Sequence, residues 1–551
     1  MFVPAVVGAL QNYRRRDFVA DLGAGLTVGI IALPLAIGFG IASGVTPQQG
    51  LWTGIIASIV VALLGGSRFQ VAGPTGAFVP VLFSIVAVYG YGGLALATCM
   101  GGAMLVIAGA LRMGRLLKFV PYPVVAGFTS GIALIIFCGQ LNEFLGLGVK
   151  MPGHVPQQIA VLMSSFHLLN WRALATGALT LLIVYAWPLV SRRIPASIVA
   201  VICATAFAYF AQWPIATIGT RFGGIPAGFP ELHFPAISLP LMRDLMGPAF
   251  TIAALGAIES LLSAMVADGM TDTRHNPNQE LIAQGVANLL CPLAGGITST
   301  GAIARTAASI RSGARSPVAA IIHALVLLAA VFLAGSLVSH IPLAALSAIL
   351  IAVAIRMAEW HNFVELWRGP RADFGVLVAT FALTVVFDLS VGVGAGLIMA
   401  MVLFLRQMED VTRVRLITEE NEDTATGSHS IRGKAIPAGV ILYRIEGPLF
   451  FAATEKLDMV LRGSGGKPRV VIFRMRNVPA MDASGLHAFD VAIEKLRRDR
   501  VEIFLTAVQP QPMKVMFESG LAERLGLDRF CADIDQALAA VQLHLTDEVA
   551  R

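Results

Sequence analysis

Apolar segments of about 20 residues recur along the first 405 positions of this chain, and each is long enough to cross a hydrocarbon layer of ~30 Å. Hydrophobic residues make up 56% of the 551 residues and charged residues only 13%. Soluble domains carry about 25% charged residues. We therefore predict an all-α polytopic membrane protein with about fourteen transmembrane segments. The predicted segments are 20–43, 51–65, 70–88, 91–111, 119–140, 172–190, 194–212, 247–267, 280–295, 302–310, 317–339, 343–355, 374–389 and 391–405.

Basic residues are unevenly distributed between alternate loops. Loops 44–50 and 88–92 contain no lysine or arginine. By the positive-inside rule both termini are predicted to be cytoplasmic, and no cleavable signal peptide is predicted before the first segment. The formal charge of +6 then reflects membrane orientation rather than nucleic-acid binding. The loops assigned to the cytoplasm contain Arg112, Arg115, Lys118, Arg192, Arg193, Arg311, Arg315, Arg356, Arg368, Arg371 and Arg406.

The composition changes after about Gln407, where charged residues become dense. We predict a transmembrane domain over 1–406, a linker over 407–435 and a cytoplasmic α/β domain over 436–551. In the last domain, β-runs at 440–445, 470–475 and 501–508 alternate with predicted helices near 454–462, 484–498, 511–519 and 533–545. The five cysteines are scattered without metal-ligand or redox spacing, so neither a metal site nor a resident cofactor is predicted.

Two predicted segments are interrupted by glycine and proline. The third opens with Val71–Ala77, which contains Gly73 and Pro74, and the tenth opens with Gly295–Ile303. They hold matching places in the first and second seven segments, which is typical of inverted-repeat transporters. Two half-helices would direct their free N–H groups and positive dipole ends at one midplane site, as an anion requires. The alternative is that the glycines only allow close helix packing.

Two charged residues inside predicted segments are candidates for the transport chemistry. Glu259 is in the middle of the eighth segment, and Ser263 follows one turn later on the same face. A carboxylate at this depth is a candidate for proton or cation coupling; the alternative is a protonated, structural hydrogen-bond donor. Arg305, near the start of the tenth segment, is a candidate anion ligand; the alternatives are pairing with Glu259 or snorkelling to an interface.

Several motifs resemble the sulfate-permease (SulP) family of anion transporters. They are Ala32–Pro34, Ser67–Gly76, Glu280–Asn288, Ala302–Thr306 and, in the soluble part, Met481–Leu486. The resemblance covers nearly the whole chain. It implies seven plus seven inverted repeats divided into core and gate domains, a homodimer, and a C-terminal STAS domain that can bind a cytoplasmic partner.

The resemblance also implies roles for particular residues. The anion would bind at Gly73 and Thr75 and at the start of the tenth segment, with Phe39 as a pocket aromatic and with Glu259 and Ser263 as the coupling pair. Leu35 and Ala304 replace the glutamine and serine of many members, so backbone N–H groups and Arg305 would contribute more of the binding. The candidate anion ligands in the tenth segment are Gly301, Ala302, Ile303, Ala304 and Arg305.

Ser484 matches the position that is phosphorylated in STAS antagonists of anti-sigma factors. A phosphate there would lie at a helix N-terminus. The alternative is that Asp482 and Ser484 simply cap this helix.

These observations predict a secondary active anion transporter in a bacterial inner membrane. Residues 255–262 and 268–271 look most similar to the C4-dicarboxylate branch, so proton-coupled symport of C4-dicarboxylates or sulfate by alternating access is expected. The alternatives are a sodium-coupled bicarbonate transporter, an uncoupled exchanger or channel, and a signalling protein whose STAS domain gives the output. An enzyme is not expected, because the sequence contains no nucleophile–base constellation.

Overall fold

The computed structural model describes residues 3–550, except residue 12 and residues 116–120, 192–193, 227, 231, 233–234, 236, 388, 412, 417–430, 432–433 and 451–467. Lys118, Arg192, Arg193 and the predicted helix near 454–462 therefore lie outside the described residues. The chain forms two compact units, Met1–Ala400 and Met401–Arg551, which are treated separately below.

The first unit is almost entirely helical. Its helices are α1 Ala5–Leu10, α2 Arg15–Ala42, α3 Pro47–Leu64, α4 Val79–Ala110, α5 Tyr122–Leu145, α6 Val155–Ser164, α7 Trp171–Val190, α8 Ala196–Phe210, α9 Ile218–Phe222, α10 Leu239–Asp244, α11 Met246–Thr271, α12 Pro277–Leu293, α13 Ile303–Arg311, α14 Val318–Leu333, α15 Gly335–Val338, α16 Leu343–Met357, α17 Trp360–Arg368, α18 Arg371–Val386 and α19 Leu389–Val411. Two short strands are present, β1 Ala72–Gly73 and β2 Thr300–Gly301.

Every predicted segment coincides with a helix, so the polytopic helical fold is confirmed. Among the described residues, eight helices are long and apolar enough to cross a membrane, and two shorter apolar helices are Ala196–Phe210 and Val318–Leu333. The third and fourth predicted segments form one helix, α4, which is broken at Gly90 by a φ of 66°. The tenth, α13, has 9 residues and spans only about 13 Å, half of a hydrocarbon core.

The helix packing repeats with an offset of seven predicted segments. Segment 1 (α2) packs on segment 11 (α14), and segment 8 (α11) packs on segment 4 (the later part of α4). In the same way, the pair α3–α14 (segments 2 and 11) corresponds to the pair α12–α4 (segments 9 and 4). The pair α5–α18 (segments 5 and 13) corresponds to the pair α16–α7 (segments 12 and 6). Exchanging each segment for the one seven places along maps one contact onto the other, as two related halves require. Helices α2–α4 and α11–α14 form one group, and α5, α7, α8, α16 and α18 form the other.

Glycines bring helices of the first group into backbone contact. A Cβ atom on Gly102 of α4 would lie 2.8 Å from the carbonyl oxygen of Gly285 on α12, and one on Gly285 would lie 2.6 Å from that of Gly102. Small residues at helix crossings are the usual means of close packing in membranes. The packing function that the sequence suggested for glycine is therefore present at Gly102 and Gly285.

Two buried carboxylates hold the loops beside the half-helices. Asp21 accepts hydrogen bonds from the backbone N–H groups of Arg315 at 2.6 Å and Ser316 at 3.1 Å. Glu280 accepts from the N–H groups of Gly66 at 2.9 Å and Ser67 at 3.2 Å. Both carboxylates are fully buried, and hydrogen bonds to a charged acceptor are the strong ones. The chain entering β1 and the chain leaving α13 are thereby anchored.

The second unit contains a five-stranded sheet in the order β3-β4-β5-β6-β7. β3 Arg413–Leu416 is antiparallel to β4 Val440–Glu446, whereas β5 Val470–Asn477, β6 Glu502–Thr506 and β7 Phe530–Cys531 continue in parallel. The helices are α20 Ala483–Arg498, α21 Pro510–Glu518, α22 Leu521–Leu525 and α23 Ile534–Ala550. The α/β class is confirmed. The predicted linker 407–435 contains the end of α19 and strand β3. The sequence did not predict this strand, because charged neighbours obscure the short alternation Arg-Val-Arg-Leu.

Candidate anion-binding site

The two interrupted segments meet at strands β1 and β2. The strands pair antiparallel, with Ala72 opposite Gly301 and Gly73 opposite Thr300. The backbone N–H of Ala302 extends the pairing by donating to the carbonyl of Val71 at 2.9 Å. Because each strand leads into a short helix, antiparallel pairing makes the two helices leave in opposite directions. Their N-termini therefore begin on either side of one two-stranded element.

Backbone N–H groups are available at both helix starts. In α13 the first intrahelical bond runs from Thr306 N to Ala302 O at 2.9 Å, so the N–H groups of Ile303, Ala304 and Arg305 have no acceptor within the helix. The first half-helix opens with a 3-10 turn, Gly76–Phe78, which precedes α4. Ile303 and Ala304 are exposed although the residues on either side are buried. The N-terminal end of α13 therefore faces an open space.

Arg305 is buried against the backbone of β1. Its side chain is 3% exposed, and Nη2 donates a hydrogen bond to the carbonyl oxygen of Pro74. Nη1 is buried and has no hydrogen-bond partner among the described residues. The burial excludes snorkelling to an interface. Within the described chain no ion pair joins Arg305 to Glu259, so the guanidinium keeps one unused donor group.

The glycine at position 73 is required by both conformation and space. Its φ of 147° lies in the region that residues with a side chain rarely adopt. A Cβ atom there would lie 2.6 Å from Nη1 of Arg305. At the paired position, a Cβ on Gly301 would overlap the side-chain amide of Gln70. These glycines make room for the polar side chains of the site.

Glu259 lies beside the start of the first half-helix. Its Oε2 accepts a hydrogen bond of 3.0 Å from Oγ1 of Thr75. Thr75 has extended backbone and occupies the N-cap position of the 3-10 turn. Both side chains are half-buried, so a carboxylate from α11 is held at the opening of the site.

Ser263 differs from Glu259 in its surroundings, although the two share a helix face as predicted. It is fully buried and donates to Thr306 Oγ1 at 3.2 Å. The hydroxyl of Thr306 also accepts a hydrogen bond from the N–H of Val71 at 3.1 Å. Ser263 thus contacts the link between α13 and the residue before β1.

Phe39 packs on the first half-helix from α2. A Cβ atom on Gly76 would lie 3.3 Å from Cε1 of Phe39 and 3.2 Å from Cδ1 of Ile136 on α5. Phe39 is 5% exposed. The start of this half-helix is therefore enclosed by an aromatic side chain from one helix group and an aliphatic one from the other.

A set of polar contacts that the sequence analysis missed joins α11 to strand β2 and to Gln70, two residues before β1. Gln70 donates from Nε2 to the carbonyl of Ser260 at 3.0 Å. The hydroxyls of Ser260 and Thr300 are 2.7 Å apart, and the N–H of Gly301 donates to Ser260 Oγ at 3.2 Å. The signal in the sequence was the presence of Gln70 and of Thr298–Thr300 within otherwise apolar segments.

Ser484, in the second unit, is exposed in the first turn of α20. The helix is capped by Asp482, whose carboxylate accepts from the N–H of Gly485 at 2.7 Å. The capping function suggested by the sequence therefore belongs to Asp482. Ser484 keeps an accessible hydroxyl.

A helical membrane unit of two related halves, with interrupted helices meeting at a buried arginine, defines a membrane transport protein. The sulfate permease family matches residues 18–380, and the STAS domain matches residues 434–537. The chain belongs to the sulfate permease family. It is an anion transporter of this family with a C-terminal STAS domain, and its relatives are transporters rather than enzymes.

Similar proteins extend over almost the whole chain. A putative sulfate transporter, YvdB, from Bacillus subtilis is 40% identical over 526 residues, covering 95% of this chain and 98% of the relative. The bicarbonate transporter BicA from Picosynechococcus is 31% identical over 553 residues, covering 97% of each chain. The solved structure of SLC26A9 has a TM-score of 0.86 at 19% identity, with 98% of this chain and 93% of that chain covered, which shows the shared fold. These relatives give no support to the expected C4-dicarboxylate branch.

Proposed function

We propose that this chain is a secondary active transporter of an inorganic oxyanion, with sulfate as the first candidate and bicarbonate as the alternative. The observation that carries the proposal is the unused Nη1 of Arg305, buried beside Gly73 where the two half-helices begin. A buried guanidinium with a free donor is costly unless a negative charge compensates it. The names of the relatives, which are sulfate and bicarbonate transporters, support this substrate class.

The rest of the site also favours a negatively charged ligand. The N–H groups of Ile303 and Ala304 and those of the 3-10 turn Gly76–Phe78 supply donors, and two helix dipoles present their positive ends. The oxygens of a tetrahedral or planar oxyanion accept several such bonds at once. A carboxylate of a C4-dicarboxylate would satisfy the same donors, so it is retained as a competitor in the test.

Glu259 supplies the coupling in this proposal. As a carboxylate it repels an arriving anion, and proton uptake removes that repulsion, so proton and anion enter together. Its hydrogen bond to Thr75 connects the coupling group to the half-helix that binds the anion. Na⁺ is the alternative coupling ion, for which the exposed part of the Glu259 carboxylate would be a ligand and the buried Ser263 hydroxyl would have to turn.

Alternating access would come from relative movement of the two helix groups. Phe39 of α2 and Ile136 of α5 meet at Gly76, so the boundary between the groups passes along the site. We further propose a homodimer in a bacterial inner membrane with both termini cytoplasmic. Exposed Ser484 is a candidate phosphorylation site through which the STAS domain would respond to a cytoplasmic partner.

The test is uptake of labelled sulfate into proteoliposomes containing the purified protein, with an inward proton gradient, a sodium gradient or neither. Unlabelled bicarbonate, succinate and fumarate serve as competitors. The proposal predicts saturable uptake that requires the proton gradient and is competed most strongly by sulfate. Uptake that depends on neither gradient would identify an exchanger. Non-saturating electrical currents would identify a channel. Stronger competition by succinate than by sulfate would restore the dicarboxylate assignment.

A further inference from the structure

His323 is a fully buried histidine on α14 that takes no part in the proposed transport chemistry. Its Nδ1 lies 3.1 Å from Oγ of Ser58 on α3. Ser58 Oγ in turn donates to the carbonyl oxygen of Ala72 at 2.7 Å. A chain of two hydrogen bonds therefore runs from α14 through α3 to strand β1.

The hydrogen bonds determine which nitrogen carries the proton. A serine hydroxyl has one proton, and here it is given to the carbonyl of Ala72. Nδ1 of His323 must then be the donor to Ser58, and in a neutral imidazole Nε2 is then unprotonated. Nε2 is buried and has no partner among the described residues, in agreement with a neutral imidazole whose second nitrogen is only an acceptor.

The same interior contains Arg305. A Cβ atom on Gly73 would lie 3.2 Å from Cα of Gly54, which is one turn before Ser58, and 2.6 Å from Nη1 of Arg305. A Cβ on Gly54 would lie 2.9 Å from Cδ1 of Leu327, one turn after His323. Helices α3 and α14 therefore contact each other next to β1, and Nη1 of Arg305 also approaches β1 at Gly73.

We propose that His323 is a positioning residue for the anion site. Through Ser58 it holds the carbonyl of Ala72, and so it fixes the short strand that continues into Gly73 and Pro74. The carbonyl of Pro74 is the acceptor that orients Arg305. Strand β1 has only two residues. Its pairing with β2 and the bond from the N–H of Val71 to Thr306 restrain it, and the bond from Ser58 to the carbonyl of Ala72 adds a restraint from α3. This inference rests on the proposed function only for the identity of the ligand that Arg305 binds.

The test compares three substitutions in the full-length protein. His323→Asn keeps an N–H donor close to the position of Nδ1, His323→Leu keeps apolar volume without a donor, and Ser58→Ala removes the middle of the chain. His361→Leu, at an exposed histidine of α17, is the matched control. Hydrogen exchange of the amides of residues 70–78 is measured in the purified protein, and sulfate KM and Vmax are measured in proteoliposomes.

His323→Leu and Ser58→Ala should each speed exchange of residues 70–78 and raise KM about tenfold, with Vmax changed less than about threefold. The double variant should be no worse than either single one, because both remove the same chain. His323→Asn and His361→Leu should stay close to wild type. Equal damage from His323→Asn and His323→Leu would overturn the proposal, because packing of the ring would then be the cause.

Unchanged exchange in Ser58→Ala would also overturn it. The exchange measurement does not depend on transport. If the wild-type protein takes up no sulfate, the proposed function fails while the exchange result still decides the role of His323.

Discussion

Thr75 donates a hydrogen bond from Oγ1 to Oε2 of Glu259 over 3.0 Å, joining the first half-helix to α11. The preceding residue, Pro74, accepts a hydrogen bond from Arg305. The acidic and the basic residue of the site are thus bound to adjacent residues of one chain segment instead of to each other. Residues 74 and 75 therefore contact both the candidate coupling residue and the candidate anion ligand.

Glu259→Gln should abolish uptake driven by a proton gradient. The amide keeps the size of the side chain and can still accept from Thr75, but it cannot take up a proton. Sulfate binding to the purified protein should weaken by no more than about threefold, because the anion ligands are unchanged and the amide lacks the charge that repels the anion. The control is Glu365→Gln, at an exposed residue of α17. Undiminished gradient-driven uptake in the Glu259 variant would assign coupling to another group.

Arg305→Ala should raise the KM for sulfate at least about tenfold, because it removes a charged donor from a desolvated site. Arg305→Lys should retain part of the affinity, since an ammonium keeps the charge but loses the planar pair of donors. Arg368→Ala, at an exposed end of α17, controls for the loss of one positive charge. An unaltered KM in Arg305→Ala would place the anion elsewhere.

Gly73→Ala should reduce sulfate uptake at least about tenfold while the protein still reaches the membrane. The added methyl group would have to displace Nη1 of Arg305, which lies 2.6 Å from its position, and alanine disfavours the φ of 147°. Gly139→Ala on α5 is the matched control, because a Cβ atom there meets nothing within 4 Å. Comparable uptake by the two variants would show that the guanidinium is not confined by β1.

Asp482→Ala should destabilise the second unit by about 1 kcal/mol, since it removes the N-cap of α20. Ser484→Ala should change the free energy of unfolding by less than about 0.5 kcal/mol, because its hydroxyl is exposed and makes no cap bond. Urea unfolding of a fragment comprising residues 407–551 measures both. A larger loss in the Ser484 variant would mean that the serine stabilises the helix after all.

The second unit, Met401–Arg551, contains strands that the local sequence pattern predicted and one strand that depends on a tertiary contact. The strands over 440–445 and 470–475 were predictable because each is a short, mostly apolar run rich in β-branched or aromatic residues, which is typical of a buried strand. Strand β3 was not, because its pairing with β4 depends on a neighbour that its own four residues do not encode.

The same distinction between local sequence and tertiary contact holds for the membrane unit. Segment length and apolar composition by themselves determined that the chain crosses a membrane, and Gly73, Pro74 and Gly301 determined where two helices are interrupted, because these are local properties of the backbone. Only the tertiary structure decided that Arg305 binds Pro74, that Thr75 binds Glu259 and that His323 reaches Ala72 through Ser58. Pro74 and Arg305 are 231 positions apart in the chain, Thr75 and Glu259 are 184 apart, and Ser58 and His323 are 265 apart, so helix packing, and not local sequence, brings each of these polar groups to its partner.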